Sequence, residues 1–209
     1  MLTPIILFVI LMVLLYIPPV QNLLRREVTA YASKATGMQI QVERIDLRFP
    51  LNLLVRGVEV IQQPDTLLSL ESLNVRVQAW PLLKGKVEVD EVTLSQVAVN
   101  SANLIEGMQI KGVLGRFFLQ SHGVDLSNET AVVNRTELSD THIQLLMTDT
   151  TTTPKDTTAS APVNWKVNLH QLKLKNVSFG MKLPADSMKM AAYIGEATID
   201  DAKADLHDR

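Results

Sequence analysis

The side chains that could do chemistry are few and far apart. Four histidines, His122, His142, His170 and His207, are widely spaced along the chain. None forms an HxH, HxxxH or HExxH pair, the spacings that bring two imidazoles together on one metal. Asp200, Asp201, Asp205, His207 and Asp208 form an acidic cluster. As a ligand set it competes with the plainer reading of a solvated strand edge. Gly85-Lys86 lacks the upstream glycine of a phosphate-cradling loop, and neither G-x-S-x-G nor G-x-G-x-x-G occurs. Cysteine is absent, which removes disulfides, thiolate nucleophiles and cysteine-held zinc or iron–sulfur centres. Asn128, Asn134 and Asn176 head N-x-[ST] sequons, which carry meaning only on a eukaryotic secretory route. A formal net charge of −2 and 5% aromatic residues leave no basic stripe with stacking platforms, so no nucleic-acid partner is expected. These residues point away from an enzyme and imply no catalytic residue, metal or cofactor.

What the chain has instead is a pattern. Val87, Val89, Val92, Leu94, Val97 and Val99 follow Lys86. Val167, Leu169, Leu172, Leu174, Val177 and Phe179 follow Lys166 with the same spacing, about 80 residues later. A period of two is a strand signal, because alternate side chains point to opposite faces of a sheet. Each copy breaks the period twice with an inserted polar residue, at Asp90-Glu91 and Ser95-Gln96, and at His170-Gln171 and Lys175-Asn176. A plain strand would flip the apolar set at each insertion, whereas a β-bulge would keep it on one face.

The rest of the chain sorts into an apolar start and a β-rich body. Residues 1–17, MLTPIILFVILMVLLYI, carry no charge. At about 1.5 Å per residue this run spans roughly 25 Å, just short of a hydrocarbon core of about 30 Å, and residues through Val20 close the gap. It reads as a transmembrane anchor over 1–20, with Ile5, Leu7, Phe8, Ile10 and Leu14 in lipid and Tyr16 at the interface. A cleaved signal peptide would want a basic start and an A-x-A site, both absent. Arg25 and Arg26 alone favour a cytoplasmic C-terminal side. Val20, Leu23, Leu24, Val28 and Tyr31 then predict an amphipathic helix over 21–37, capped by Gly37. Its apolar stripe either packs on the following sheet or lies on a membrane surface.

From Met38 onward strands dominate, giving a mainly β fold. Ile40 to Phe49, Leu51 to Val60 (with a bulge at Gly57), Leu68 to Val77 and the first repeat read as an antiparallel meander, with turns at Gln63-Pro64-Asp65 and Pro81 to Gly85. Residues 101–147 are harder, with glycines between apolar residues and one short strand at Ile143, Leu145 and Met147. Thr148 to Pro162 has no large apolar residue and reads as a disordered Thr-rich loop over 148–163. A second β section over 164–209 holds the second repeat, a run from Met188 to Ile194 and a last bulged run from Ala197 to Leu206. The chain stops without closing its sheet, as an excerpt of a longer protein would.

Several motifs in order resemble the N-terminal region of the TamB family, in the wider AsmA-like group, in its Bacteroidetes-type form. They are Ile17-Pro18-Pro19-Val20-Gln21-Asn22, Ser33-Lys34-Ala35-Thr36-Gly37, Ile45-Asp46-Leu47-Arg48-Phe49-Pro50, Asp65-Thr66-Leu67-Leu68 and Leu82-Leu83-Lys84-Gly85-Lys86. The resemblance covers residues 17–100 well and 164–206 more loosely. It departs at Val60-Ile61-Gln62-Gln63-Pro64, where the family has an acidic residue before the turn. The resemblance implies a single-pass inner-membrane protein whose bulk lies in the periplasm as a curled antiparallel sheet, groove-like and repetitive. It implies a part in outer-membrane biogenesis. The roles implied are phospholipid transport, with acyl chains as partner, and protein secretion or assembly as one half of a translocation and assembly module with a BamA-like outer-membrane barrel. A periplasm-spanning scaffold for that barrel is the rival reading. On the lipid reading, Val87, Val89, Val92, Leu94, Val97, Val167, Leu169, Leu172, Leu174 and Val177 face the tails.

Overall fold

The computed structural model describes residues 16–48, 51–82, 88–102, 104, 107–125, 129–147, 164–183 and 189–207. Ile5, Leu7, Phe8, Ile10, Leu14, Val87 and the Thr-rich stretch 148–163 lie outside them. Among the described residues no helix is long and apolar enough to cross a membrane. The expected transmembrane helix is therefore not one of the described elements.

The first described helix, α1 (Pro18–Thr36), starts on its two prolines, which fit the first turn because their missing N–H groups would have no partner there. It ends on Gly37 at φ 69°, whose N–H reaches the Ser33 carbonyl. The helix lies along the outer edge of β1 (Gln39–Arg48). Gln21 Nε2 donates to the Leu47 carbonyl at 3.2 Å, and Arg25 donates to the carbonyls of Val42 and Glu43 at 3.3 and 3.1 Å. Ser33 Oγ accepts the Ile40 N–H at 3.0 Å. This overturns the expectation that the apolar stripe packs on the sheet. The polar side faces it, because an edge strand offers unpaired backbone groups that only donors and acceptors can satisfy. Leu23, Leu24, Val28 and Tyr31 are left outward, Tyr31 at 77% exposure.

Beyond β1 the chain adds β2 (Asn52–Gln62), β3 (Asp65–Val77), β4 (Val89–Asn100), β5 (Met108–Asp125), β6 (Thr130–Met147), β7 (Asn164–Lys182) and β8 (Lys189–His207). They form one open eight-stranded sheet in chain order. A four-residue helix, α2 (Ala79–Leu82), occupies part of the expected turn between β3 and β4. Six of the seven ladders are antiparallel, but β6 and β7 run parallel, so the sheet is mixed and not the antiparallel sheet expected. A parallel pair needs a connection of a dozen or more residues, and 16 residues separate Met147 from Asn164 in the sequence.

Two strand readings are corrected. The short strand at Ile143 to Met147 is the end of β6, which is 18 residues long. The separate runs from Met188 and Ala197 are one strand, β8, of 19 residues. In both cases small or polar residues inside the strand hid its continuity.

No described side chain is fully buried, and among the described residues the buried apolar ones are Leu51, Leu54, Leu67, Ala131 and Val133. That is the signature of a single layer. Apart from α1 on β1, substantial packing among the described elements is between neighbouring strands.

Candidate functional site

The register of the sheet turns the sequence pattern into transverse rows. Leu47, Leu53, Val75, Val92, Leu119, Thr136, Leu172 and Ile199 are successive partners across all eight strands. The next row runs Ile45, Val55, Leu73, Leu94, Phe117, Leu138, Leu174, Ala197. A third joins Val42, Val58, Leu70, Val97, Leu114, Thr141, Val177 and Ile194, and a fourth runs from Ile40 through Val99 and Phe179 to Ala192. The two sequence repeats therefore lie on β4 and β7 in the same rows: Val92 with Leu172, Leu94 with Leu174, Val97 with Val177. The 80-residue period is the chain length needed to return to the same height three strands over.

Between the second and third rows the strands are creased. Residues on either side are three apart, as Val55 and Val58 or Leu94 and Val97, a spacing that puts them on opposite faces of a plain strand. At this line Gly57, Gln96, Asp140 and Asn176 take left-handed φ values of 58°, 49°, 51° and 53°. They sit on β2, β4, β6 and β7, the four strands that run in one direction. All seven ladders omit the pair at this line and resume in the same register beyond it. A left-handed residue turns the chain and restarts the alternation, here with no residue inserted in either partner strand, so the four rows share a face. Asn176 Nδ2 donates to Asp140 Oδ1 at 2.8 Å across the crease.

A second crease crosses the longer strands. Asp90 is the extra residue where the β3–β4 register slips, and the β5–β6 register slips after Gln120. Asp201 is left-handed at 54°, opposite His170. Here too the inserted polar residues pair between strands: Gln78 with Asp90, His122 Nδ1 with Asn134 at 3.2 Å, and His170 Nδ1 with Asp201 Oδ1 at 3.2 Å. All four inserted dyads seen in the sequence mark creases.

The opposite face is mainly polar, with Leu54, Val113, Phe118 and Tyr193 as its larger apolar residues. Arg44, Arg56, Ser72, Ser95, Arg116, Ser139, Lys175 and Glu196 form one of its rows. Arg44 pairs with Asp46 at 2.7 Å and Arg76 with Glu91 at 3.2 Å, and the Arg116 guanidinium lies 5.9 Å from the centre of the Phe118 ring. Arg135 is paired with Glu137. That hydrogen bond is the main reason the Glu137 carboxyl sits below its usual range; slight burial opposes it, and the charges of Arg135, Lys173 and Arg116 add to it.

The two faces differ as surfaces. Seven strand spacings of about 4.8 Å by seven residues of about 3.3 Å give the four-row face roughly 800 Å². Contiguous apolar patches on soluble monomers are typically about 300–600 Å². Val89, Val92, Leu94, Val97, Val167, Leu169, Leu172, Leu174 and Val177 are all half-buried. The structure brings Val92, Leu94, Val97, Leu172, Leu174 and Val177 into the rows described above. Val89 and Leu169 lie beyond the second crease, paired with Val77 and with Val133 and Ala202, and Val167 pairs with Ala131 and Ala204.

Sequence reasoning missed the contributions of β5, β6 and β8. The signal was present: Gly112-x-Leu114-x-x-Phe117-x-Leu119 has the same spacing as the repeats, with glycine at one apolar position. Leu138-x-x-Thr141-x-Ile143 carries it with threonine, and Thr141 is 2% exposed.

Chemistry on the polar face is limited. His142 Nδ1 contacts Ser178 Oγ, and its Nε2 lies 2.9 Å from Gln144 Nε2. A neutral amide in place of a carboxylate does not stabilise an imidazolium, and His142 is exposed. Among the described residues no group of three His, Cys, Asp or Glu is placed to hold a metal. Comparison with protein-family models, curated proteins and solved structures finds no match.

Proposed function

We propose that this chain is a membrane-associated β-sheet protein that holds the acyl chains of phospholipid against its apolar face, in the manner implied by its resemblance to the TamB family. The observation that carries the reading is the four-row apolar face of a single-layer sheet, with no second layer of described residues over it. A face of that size must be covered, and a lipid tail gains about 0.8 kcal/mol per buried CH₂. The register keeps each apolar row continuous from strand to strand and the main crease keeps the four rows on one face, which suits a long flexible ligand better than a compact one. Membrane association is supported by the charge-free 1–17 segment and by the outward apolar residues of α1, which follow it directly. On this reading the role is carriage and not catalysis, the sheet lies in the periplasm, and its possible protein partner is an outer-membrane barrel of the BamA-like kind.

The test is site-specific photocrosslinking in cells. A photoreactive residue at Leu94 or Leu172 is expected to capture phospholipid. The same residue at Thr93 or Lys173, which lie in one row of the polar face, is expected not to. Equal capture on both faces, or none on either, would overturn the lipid reading and leave a scaffold for an outer-membrane partner.

A further inference from the structure

A second surface lies at the far end of the polar face. Gln109, Leu146, Lys182 and Lys189 form one row there, and Lys111, Gln144, Gly180 and Ala191 form the next. The two rows are two residues apart on every strand and so share a face. Between them is a concavity of about 410 Å³ lined by all eight residues. Gly180 leaves its floor open. A Cβ built there meets nothing nearer than Gln144 Cγ at 3.9 Å and the Met190 carbonyl at 4.0 Å. Lys111, Lys182 and Lys189 are exposed on its rim, no carboxylate lines it, and none of the three belongs to an ion pair among the described residues. Elsewhere on this face Arg44, Arg76 and Arg135 each have a carboxylate, while among the described residues Arg56, Arg116, Lys173 and Lys175 stand singly and border no concavity of this kind. Three ammonium groups without an ion pair thus stand around one open floor, with the Gln109 and Gln144 amides between them and the Leu145, Met181 and Met190 positions in its lining.

We infer that this concavity binds a phosphate ester group. Lysine ammonium groups act as point charges toward phosphate oxygens and need no fixed fork geometry, and the volume falls within the range of small-ligand sites. The phosphate can come from a lipid headgroup or from a free phosphate compound. The site is on the face opposite the apolar rows, so it stands or falls separately from the acyl-chain reading.

The full-length chain in a nonionic detergent is titrated calorimetrically with inorganic phosphate and, in parallel, with glycerophosphoglycerol, the water-soluble headgroup of an anionic phospholipid. Saturable binding at one site is expected, weakening as salt rises. Each of Lys111→Gln, Lys182→Gln and Lys189→Gln should weaken it roughly twofold to fivefold, as for single exposed charge pairs. Gly180→Leu should abolish it without changing charge, and its backbone has no left-handed strain to oppose the substitution. Lys173→Gln, on the same face but outside the concavity, should leave binding unchanged. Tighter binding of the diester identifies a lipid headgroup as the source; tighter binding of inorganic phosphate identifies a free one. No saturable binding of either probe, or binding indifferent to Gly180→Leu and the three lysine changes, would overturn the inference.

Discussion

The creases are a steric requirement that glycine-to-alanine substitutions can isolate term by term. Gly195 is on the main crease in β8, has no left-handed φ, and a Cβ there has its nearest neighbour at 3.7 Å. Gly37 has φ 69° but open space around it, so alanine there feels backbone strain alone. Gly115 has ordinary φ, but a Cβ would lie 2.6 Å from Asp140 Cβ and 2.9 Å from the Asp140 carbonyl, so alanine there feels overlap alone. Gly57 has both, with φ 58° and a Cβ 2.7 Å from Glu43 Cβ. A left-handed alanine costs about 1–2 kcal/mol, and forcing an extra methyl into a closed site typically costs about 1–3 kcal/mol. Gly195→Ala should then be neutral or stabilising by up to about 1 kcal/mol, through the unfolded chain. Gly37→Ala should lose about 1–2, Gly115→Ala about 1–3 and Gly57→Ala about 2–5 kcal/mol. The assay is urea unfolding of the full-length chain in mild detergent, followed by far-ultraviolet circular dichroism. Glu43→Gly, which removes the opposing Cβ, should return the overlap part of the Gly57→Ala loss and leave the strain part, a non-additivity read from a double-mutant cycle. If Gly57→Ala proved as harmless as Gly195→Ala, neither the strain nor the overlap assigned to Gly57 would hold, and the steric account of the crease in β2 would fail.

Other outcomes follow from the same geometry. Leu94→Asp or Leu172→Asp places a charge in an apolar row at a cost of several kcal/mol if unpaired, and is expected to reduce lipid crosslinking at neighbouring row positions while protease resistance is kept; undiminished crosslinking would count against the row as a lipid path. The Glu137 carboxyl is held below its ordinary value of 4.5 by Arg135, so its contribution to stability is present above that pH and lost as pH falls through the lowered folded value. Arg135→Gln should flatten the acid limb of a stability–pH curve below pH 4.5, and an unchanged limb would show that the pair is energetically silent. Deleting residues 1–20 should move the protein from washed membranes to the soluble fraction; a full-length chain already soluble would remove the anchor.

The sequence by itself determined the strands that carry the two repeats, the first three strands and the places where the alternation breaks. Period-two runs on β4 and β7 were legible because valine and leucine alternate with polar residues, and the polar dyads were legible as phase breaks because they interrupt that alternation in the same places twice. The special backbone at Gly57 was legible because glycine in a strand marks one, although it is a left-handed crease with the register kept and not the bulge expected. What only the tertiary structure decided was which residues stand side by side. β5, β6 and β8 join the apolar rows with Gly112, Thr136, Thr141 and Ala197, residues that carry little hydrophobic signal of their own and take their place from the register of their neighbours. The parallel pairing of β6 and β7 depends on a long connection whose path no local pattern encodes. The orientation of α1 was decided by the bare backbone edge of β1, which draws Gln21, Arg25 and Ser33 inward and turns the apolar stripe out. The lysine concavity, too, is assembled from four strands around one glycine. Propensity and periodicity act within about ten residues, whereas sheet register couples residues more than seventy apart, and only the folded chain brings those together.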